Sequence, residues 1–287
     1  MRPTPMGAPR SRAELEQLCR DAAKAVYLGD GRLLTVVLGG LKMMVDAKDL
    51  GITPHLAVDG FWESWVTLAM MHLARPGMRI INIGANMGYF SLLFAKAVGN
   101  DGGVFAIEPN GNLCDLILQS KTMNGLHCLS VMEAAISDRT GTTSLVVPVG
   151  HCMNAQIEEV SVQTDDRDVR MVRVCTLDDL MAPHVASISK LAGDIDIVFV
   201  DAEGAEERIW DGAAETRKRV QRWVIEFGPK RYKDPLAFAR KFVAAGYALG
   251  KIEDDGGTIP LTPEALAKGP EVMATLVRMP KKEGARP

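Results

Sequence analysis

The stretch Asn82-Ile83-Gly84-Ala85-Asn86-Met87-Gly88-Tyr89 decides how this 287-residue chain folds. It follows an apolar run at 79–83 and opens a helical pattern at 89–98, which predicts a strand-to-helix turn. Glycine lets the backbone turn tightly and lets a ligand come close to it. The first N–H groups of the helix have no partner within the helix. This turn therefore predicts a ligand site at the end of a strand.

Apolar strands alternate with helical patterns on the carboxyl side of this turn. Alternation of this kind predicts a parallel sheet with helices on both faces. The last two strands are joined without a strong helix, which predicts an antiparallel pair at one edge. The predicted fold is α/β, with a Rossmann-like, seven-stranded, mostly parallel sheet. Its strands are predicted at 79–83, 104–107, 129–136, 195–200, 223–225, 247–252 and 272–277.

The chain is predicted to divide into an extension or cap at 1–75, a catalytic domain at 76–280 and a disordered tail at 281–287. Residues 1–10 hold three prolines and little to bury, so they are predicted to be disordered. The rest of the extension is predicted to hold a helix from Ser11 to Gly29, a hairpin over 33–45 that turns at Gly39-Gly40, and a helix over 61–73.

The composition argues against several classes of protein. The formal net charge of −3 lacks the basic excess typical of nucleic-acid-binding domains. The five cysteines form no CxxC pair, which argues against a disulfide framework and against a zinc site. No stretch approaches the roughly 18 apolar residues of a membrane span, and no apolar run marks a secretory signal. We therefore expect a cytoplasmic protein that binds neither nucleic acid nor membrane.

The spacing of Gly84 and Gly88 separates the turn from two common nucleotide motifs. A dinucleotide fingerprint needs GxGxxG and a phosphate loop needs GxxxxGK[ST], and the chain has neither pattern here. Glu108 ends the following strand, and Pro109 fixes a turn directly after it. A carboxylate at this place can accept hydrogen bonds from both hydroxyls of a ribose. The alternative is an exposed glutamate at a strand end.

Asp201 and Glu203 lie in a third turn, Asp201-Ala-Glu-Gly-Ala-Glu206, after the strand at 195–200. Ligands of parallel sheets bind beyond the carboxyl ends of the strands, so both carboxylates are expected at the ligand crevice. The alternative is helix capping, and it is strong for Glu206 and Glu207 because acids stabilise the first turn of a helix. Glu226, after the next strand, is a further carboxylate at this rim.

Taken together, these motifs resemble the FkbM-type methyltransferases over roughly residues 40–250. The resemblance implies the class I methyltransferase fold, S-adenosylmethionine as cofactor and, usually, methylation of a hydroxyl oxygen. The stretches that carry it are Asn82–Ser91, Ile107-Glu-Pro-Asn110, Ala135-Ile-Ser-Asp138, Thr176-Leu-Asp-Asp179 and Asp201–Glu206.

The resemblance also implies roles for individual residues. The loop from Gly84 to Gly88 would cradle the methionine part of the cofactor, Glu108 would hold the ribose, and Ala135 would border the adenine. Two positions depart from the family pattern, which usually has aspartate at Asn82 and lysine at Phe199. The predicted cofactor-binding residues are Asn82, Gly84, Asn86, Gly88, Tyr89, Glu108, Pro109, Asn110, Ala135 and Asp201.

Transfer to a hydroxyl requires a base, for which Asp201 and Glu203 are the first candidates and His151 is the second. The scheme requires no metal, although the acidic rim leaves Mg²⁺ open as an alternative. The acceptor is expected to be a small hydroxylated molecule such as a sugar or secondary metabolite. Trp62 and Glu63, together with the loop at 150–158, are predicted to line its pocket. The helices of the extension either form a homodimer or cap the domain.

Two other functions remain open from the residues alone. An NAD-dependent oxidoreductase would use the same strand-end acid, but the absent third glycine argues against it. A degenerate methyltransferase fold that binds without catalysis is the other alternative. Asn82 leaves it open, since an amide offers no carboxylate to the cofactor, whereas Glu108 and Asp201 argue against it.

Overall fold

The computed structural model describes residues 9–148, 150, 156–158, 167–182 and 193–280. The helices are α1 (Arg12–Ala22), α2 (Thr53–Val58), α3 (Ser64–Leu73), α4 (Tyr89–Val98), α5 (Gly111–Met123), α6 (Leu177–Leu180), α7 (Glu206–Asp211), α8 (Pro235–Ala244) and α9 (Pro263–Lys268). The strands are β1 (Ala25–Gly29), β2 (Arg32–Val37), β3 (Leu41–Asp46), β4 (Arg79–Ile83), β5 (Gly103–Glu108), β6 (Leu129–Glu133), β7 (Ala135–Ile136), β8 (Gly141–Pro148), β9 (Gln156–Glu158), β10 (Arg167–Cys175), β11 (Ile195–Val200), β12 (Val220–Phe227), β13 (Tyr247–Ile252), β14 (Thr258–Pro260) and β15 (Val272–Arg278).

The main sheet has the order β14-β13-β15-β12-β11-β4-β5-β6. The strands from β6 to β12 run parallel, and β15 runs antiparallel to both of its neighbours. This confirms the predicted α/β sheet with antiparallel pairing towards one edge. The sheet has eight strands where the sequence predicts seven, because the short β14 pairs with β13. One apolar core lies between this sheet and α3–α5, and another lies between it and α6–α9.

The chain changes direction within the sheet between β4 and β11. From β4 it proceeds outward to β5 and β6, and it then returns to the opposite side of β4 to form β11 and β12. Helices on opposite faces diverge at such a switch and leave a crevice beyond the carboxyl ends of the two strands. The turn after Ile83 and the turn after Val200 therefore meet at this crevice.

A second sheet lies between β6 and β11 in the chain and has the order β7-β10-β8-β9. The sequence predicts one strand over 129–136, but the structure divides it into β6 and β7, and β7 joins this second sheet. A small apolar cluster of Ala135, Leu145, Val172 and Val174 holds the sheet together.

The segment before β4 forms a third sheet of order β1-β2-β3, flanked by α1, α2 and α3. The predicted turn at Gly39-Gly40 is confirmed, since it joins β2 to β3. The predicted helix to Gly29 is wrong, because α1 ends at Ala22 and Ala25–Gly29 is a strand. The reason is local: Asp30 (φ 49°) and Gly31 (φ 71°) form a tight left-handed turn that pairs the apolar run before it with β2.

Polar side chains of α5 attach this third sheet to the main domain. Ser120 Oγ accepts a hydrogen bond from Met44 N at 2.9 Å. Asn124 Oδ1 accepts one from Lys42 N at 3.0 Å, and Asn124 Nδ2 donates to Lys42 O at 2.6 Å. Side chains, and not another strand, thus form hydrogen bonds with the backbone N–H and C=O groups along the outer edge of β3. Of the helices described, none has the length and apolar composition needed to cross a bilayer.

Candidate active site

Gly84 marks the point where the turns after β4 and β11 come into contact. Its φ is +76°, and a Cβ placed on it would lie 1.8 Å from the carbonyl oxygen of Asp201. Asp201 N donates to Ile83 O at 3.1 Å, while Gly84 N donates to Ile107 O at 3.0 Å. Only glycine allows this approach, so the predicted glycine turn brings three strand ends together.

Glu108 is held at this crevice by two backbone N–H groups. Asn86 N donates to Glu108 Oε2 at 2.8 Å, and Asn110 N donates to Glu108 Oε1 at 2.9 Å. Burial raises the pKa of the Glu108 carboxyl to about 7, although the two N–H groups favour the charged form. Each oxygen of a carboxylate can accept more than one hydrogen bond, so this acid can still accept hydrogen bonds from a ligand.

A crevice lies beside Glu108 and measures about 580 Å³ when the solvent at its open mouth is included. Pro109, Ala135, Ile136 and Leu145 give it apolar walls. Leu145 comes from β8, so the second sheet contributes directly to the site. One acid among flat apolar walls is suited to a ligand that has hydroxyls beside an aromatic ring.

A second crevice of about 530 Å³ adjoins the first. The two share Gly84, Asn86, Asp201 and Glu203, so they form one continuous site. The segment before β4 supplies part of its wall through Met43, Ile52 and Trp62, and α4 supplies Tyr89 and Phe90. Met43 and Ile52 are not predicted as site residues from the sequence, because apolar residues in a strand and a turn look like ordinary core positions.

Asp201 and Glu203 both line the site, but they differ in their partners. Asp201 has no side-chain hydrogen bond or ion pair with any described residue. Burial raises its pKa well above the usual aspartate value, and the nearby carboxylates Glu226, Glu63 and Glu203 raise it further. Glu203 instead forms an ion pair with Arg231 at 3.1 Å.

Arg231 balances the charge of the acidic rim. Its guanidinium contacts Glu203, Glu226 and Glu271. Oxygens of Asp201, Glu203 and Glu226 lie within 4.8 Å of one another, since Asp201 and Glu203 follow β11 and Glu226 lies near the end of the adjacent β12. Burial is the main cause that raises the pKa of Glu203 to about 7, and the negative charge of Glu226 adds to this rise. The positive charge of Arg231 lowers the same pKa. The guanidinium therefore contacts two of the three carboxylates that a metal ion would use.

Glu206 shapes the turn that carries Asp201 and Glu203. Its side chain is buried, and its Oε1 accepts hydrogen bonds from Ala202 N at 3.2 Å and Gly204 N at 3.1 Å. Tyr232 Oη donates to its Oε2 at 2.9 Å. The sequence favours a simple capping role for Glu206, and nothing in the sequence distinguishes it from Glu207. The structure shows a buried acid that fixes the loop.

Asn82 and Phe199, the two departures from the family pattern, are direct neighbours. They are paired in register on the adjacent parallel strands β4 and β11. Asn82 is buried, and its Nδ2 donates to Ser91 Oγ at 2.8 Å while its Oδ1 has no partner among the residues that the structure describes. Phe199 packs against Phe90, with ring centroids 4.6 Å apart. An amide beside an aromatic ring therefore occupies the two positions where the family usually has an acid and a lysine.

The structure places some predicted residues at the crevice and others away from it. Glu63 lies outside the lining although its neighbour Trp62 is part of it, and burial raises the Glu63 pKa to about 7. Asn82 points to α4, and Asn110 caps α5 through its side chain. His151 lies outside the described residues. The predicted residues that line the crevice are Trp62, Gly84, Asn86, Tyr89, Glu108, Pro109, Ala135, Asp201 and Glu203, whereas Glu63, Asn82, Gly88 and Asn110 do not.

The strand order and the crevice at its switch point define the class I methyltransferase fold. The last strand, β15, lies between β12 and β13 in an otherwise sequential half of the sheet. The sequence model of the methyltransferase FkbM domain matches residues 82–251, which is more than half of the chain. The chain therefore belongs to the FkbM methyltransferase family.

Several solved structures resemble this chain. An FkbM methyltransferase from Methylobacillus flagellatus is 13% identical with a TM-score of 0.43, and the match covers 74% of this chain and 53% of that protein. An S-adenosylmethionine-dependent O-methyltransferase from Thermotoga maritima is 15% identical over 90% and 96% of the two chains, with a TM-score of 0.43. TomG from Streptomyces achromogenes, an O-methyltransferase of tomaymycin synthesis, is 16% identical over 76% and 79%, with a TM-score of 0.42. No curated protein sequence matches the chain significantly.

We expect Glu206→Ala to reduce the free energy of unfolding by at least about 2 kcal/mol, because it leaves two N–H groups and a hydroxyl without their partner. Glu206→Gln keeps an oxygen for the N–H groups and should cost under about 1 kcal/mol. Urea unfolding measures both. Glu207→Ala is the matched control, since it breaks only a surface ion pair with Lys241. Equal losses for Glu206→Ala and Glu207→Ala would contradict the loop-fixing role.

Asn82→Asp should destabilise the protein increasingly between pH 5 and 8. The buried acid would have a native pKa above its unfolded value, so the folded state binds more protons and stability falls as pH rises. Adding Phe199→Lys supplies a cation at the neighbouring position. We expect the free energy of unfolding of the double variant to be about 2 kcal/mol higher than the sum of the two single effects predicts, as measured by urea unfolding. Additive effects would show that the two positions are independent.

Proposed function

We propose that this protein transfers a methyl group from S-adenosylmethionine to a hydroxyl oxygen of a small molecule such as a sugar or secondary metabolite. The observation that carries the proposal is the pairing of two acids in one crevice. Glu108 is oriented by two backbone N–H groups, and Asp201 lies across Gly84 with no side-chain hydrogen bond or ion pair to any residue that the structure describes. The first acid is suited to holding a ligand, and the second is suited to taking a proton.

The residues present fit S-adenosylmethionine. Glu108 would accept hydrogen bonds from the ribose hydroxyls, and Pro109, Ala135 and Leu145 would pack against the adenine. The glycine turn at Gly84 would hold the methionine part close to the backbone. When bound, the cofactor supplies a methyl group on a sulfonium centre, which needs no acid to assist departure. The protein has only to orient the acceptor, exclude water and remove one proton.

Asp201 is the better candidate for the base. A base has to be free to accept a proton, and its pKa should lie near the working pH. Burial and the neighbouring carboxylates raise the pKa of Asp201 towards that range. Glu203 is engaged by Arg231, so its role is to position that guanidinium and the rim. His151 remains a sequence-based candidate.

The second crevice is proposed as the acceptor site. Its wall of Met43, Ile52, Trp62 and Phe90 is apolar, while Asp201 supplies a polar group at the shared boundary. Such a site would hold the flat or carbon-rich face of a small molecule and direct a hydroxyl to the acid. The segment before β4 would in this way select the acceptor.

The competing functions make different use of the same site. Mg²⁺ at the rim would have to displace Arg231 from Glu203 and Glu226, so we propose a reaction without a metal. The unusual Asn82 lies below the crevice and does not alter its lining, which weakens the argument for a degenerate binding module. An NAD-dependent oxidoreductase remains the third alternative, and a ligand titration separates all of them.

Wild-type protein should bind S-adenosylhomocysteine with micromolar affinity in calorimetric titration. Glu108→Ala should lower this affinity at least about thirtyfold, because two hydrogen bonds to a charged group disappear. Ribose hydroxyls need the ionised acid, and the Glu108 pKa is about 7. Affinity should therefore fall about tenfold from pH 8 to pH 6, and Glu108→Gln should flatten this dependence. Binding of NAD instead, or of neither ligand, would contradict the proposal.

Asp201→Asn should lower kcat by about 10²–10⁴-fold, because the hydroxyl proton loses its acceptor. The assay follows labelled methyl from S-adenosylmethionine onto a panel of sugars and hydroxylated metabolites. S-adenosylhomocysteine affinity should stay within about threefold, and turnover of the wild type should rise with pH as Asp201 ionises. Glu203→Gln is the matched control, and it should lower kcat by less than about tenfold. Full turnover in Asp201→Asn would show that the base lies elsewhere.

A further inference from the structure

The outer edge of β1 is apolar and uncovered. Among the described residues, β1 pairs with β2 alone. Val26, Tyr27 and Leu28 are 57%, 61% and 55% exposed, and no charged residue lies within Ala25–Gly29. The other edge of the same sheet is closed by Ser120 and Asn124 of α5. Exposed apolar edges pair readily with a strand of another chain, and proteins usually protect them with charges or proline.

The hydrogen-bonding pattern shows which backbone groups face outward. Val36 N donates to Lys24 O at 2.9 Å, and Ala25 is paired in register with Thr35. Because antiparallel pairs alternate, the N–H and C=O groups of Ala25 and Tyr27 point away from β2. A bulge between Tyr27 and Gly29 twists the turn end of the strand, so Ala25–Tyr27 is the regular part of this edge.

The charges beside β1 are arranged symmetrically about Tyr27. Lys24 precedes Tyr27 by three residues and Asp30 follows it by three, and both side chains are exposed. An antiparallel strand pair has a two-fold axis, so a second β1 centred on Tyr27 would bring Lys24, just before the strand, close to the other copy's Asp30 in the turn after it, twice. The outward N–H and C=O groups of Tyr27 would then form hydrogen bonds with the same groups of Tyr27 in the other copy. Val26 would lie opposite Leu28.

From this self-complementarity we propose that two copies of the protein associate through antiparallel pairing of their β1 strands. The two three-stranded sheets join into one continuous six-stranded sheet across the two-fold axis. This assigns the homodimer contact to a strand of the N-terminal segment and not to its helices. A single strand pair buries less than the roughly 800 Å² per partner of a standard interface, so the dimer is concentration-dependent.

Sedimentation equilibrium of the full chain between 1 and 200 µM tests the proposal. Wild type should show a monomer–dimer equilibrium with a micromolar Kd. Tyr27→Pro removes an outward N–H and leaves the backbone hydrogen bonds between β1 and β2 in place, and it should weaken the dimer at least tenfold. It also removes the hydroxyl that accepts from Gly31 N, so Tyr27→Phe, which loses only that bond, should keep the wild-type Kd. Met171→Ala, which changes an exposed apolar residue of β10, should leave the Kd unchanged. A monomer at every concentration, or a dimer unaffected by Tyr27→Pro, would overturn the proposal.

A charge exchange tests the register independently and does not depend on how proline is tolerated. Lys24→Glu places two acids opposite each other and should weaken the dimer severalfold. Combining Lys24→Glu with Asp30→Lys restores opposite charges and should recover most of the affinity. Circular dichroism confirms that each variant is folded. A double variant no tighter than Lys24→Glu alone would overturn the pairing centred on Tyr27.

Discussion

The absence of a side chain at Gly84 is the constraint on which the site depends. Any Cβ at this position would overlap the carbonyl oxygen of Asp201, since the two would lie 1.8 Å apart. This close approach lets the turns after β4 and β11 share one crevice, with Glu108 from the adjacent β5 at its side. If the turns were forced apart, Glu108 and Asp201 would no longer face the same crevice.

Charge balance around this contact decides what each acid can do. Several carboxylates lie close together with little water, an arrangement that is costly unless protons or cations compensate. Arg231 compensates Glu203 and Glu226, and backbone N–H groups satisfy Glu206. Within the described part of the chain, Asp201 is left without a side-chain partner. Below the crevice an amide stands in place of an acid, since Asn82 adjoins the apolar Phe199 and its Nδ2 donates to Ser91 Oγ.

The segment before β4 completes a site that the main sheet only begins. Met43, Ile52 and Trp62 approach the crevice because β3 is attached to α5 and because α2 and α3 pack behind it. This segment lies outside the region matched by the family model, which begins at residue 82. The part of the chain that the family model matches thus lines the crevice beside Glu108, and the segment before β4 supplies part of the wall of the second crevice.

The sequence by itself determined the alternation of strands and helices, the glycine turn at Gly84 and the strand-end acids Glu108 and Asp201, because local periodicity and turn chemistry carry this information. It misjudged Ala25–Gly29, where a hairpin turn overrides a helical pattern. Only the tertiary structure decided that Glu206 fixes the turn after β11, that Arg231 engages Glu203 and not Asp201, and that Asn82 adjoins Phe199. These relations join residues far apart in the chain or on different strands, and burial and pairing of this kind arise only when the elements pack.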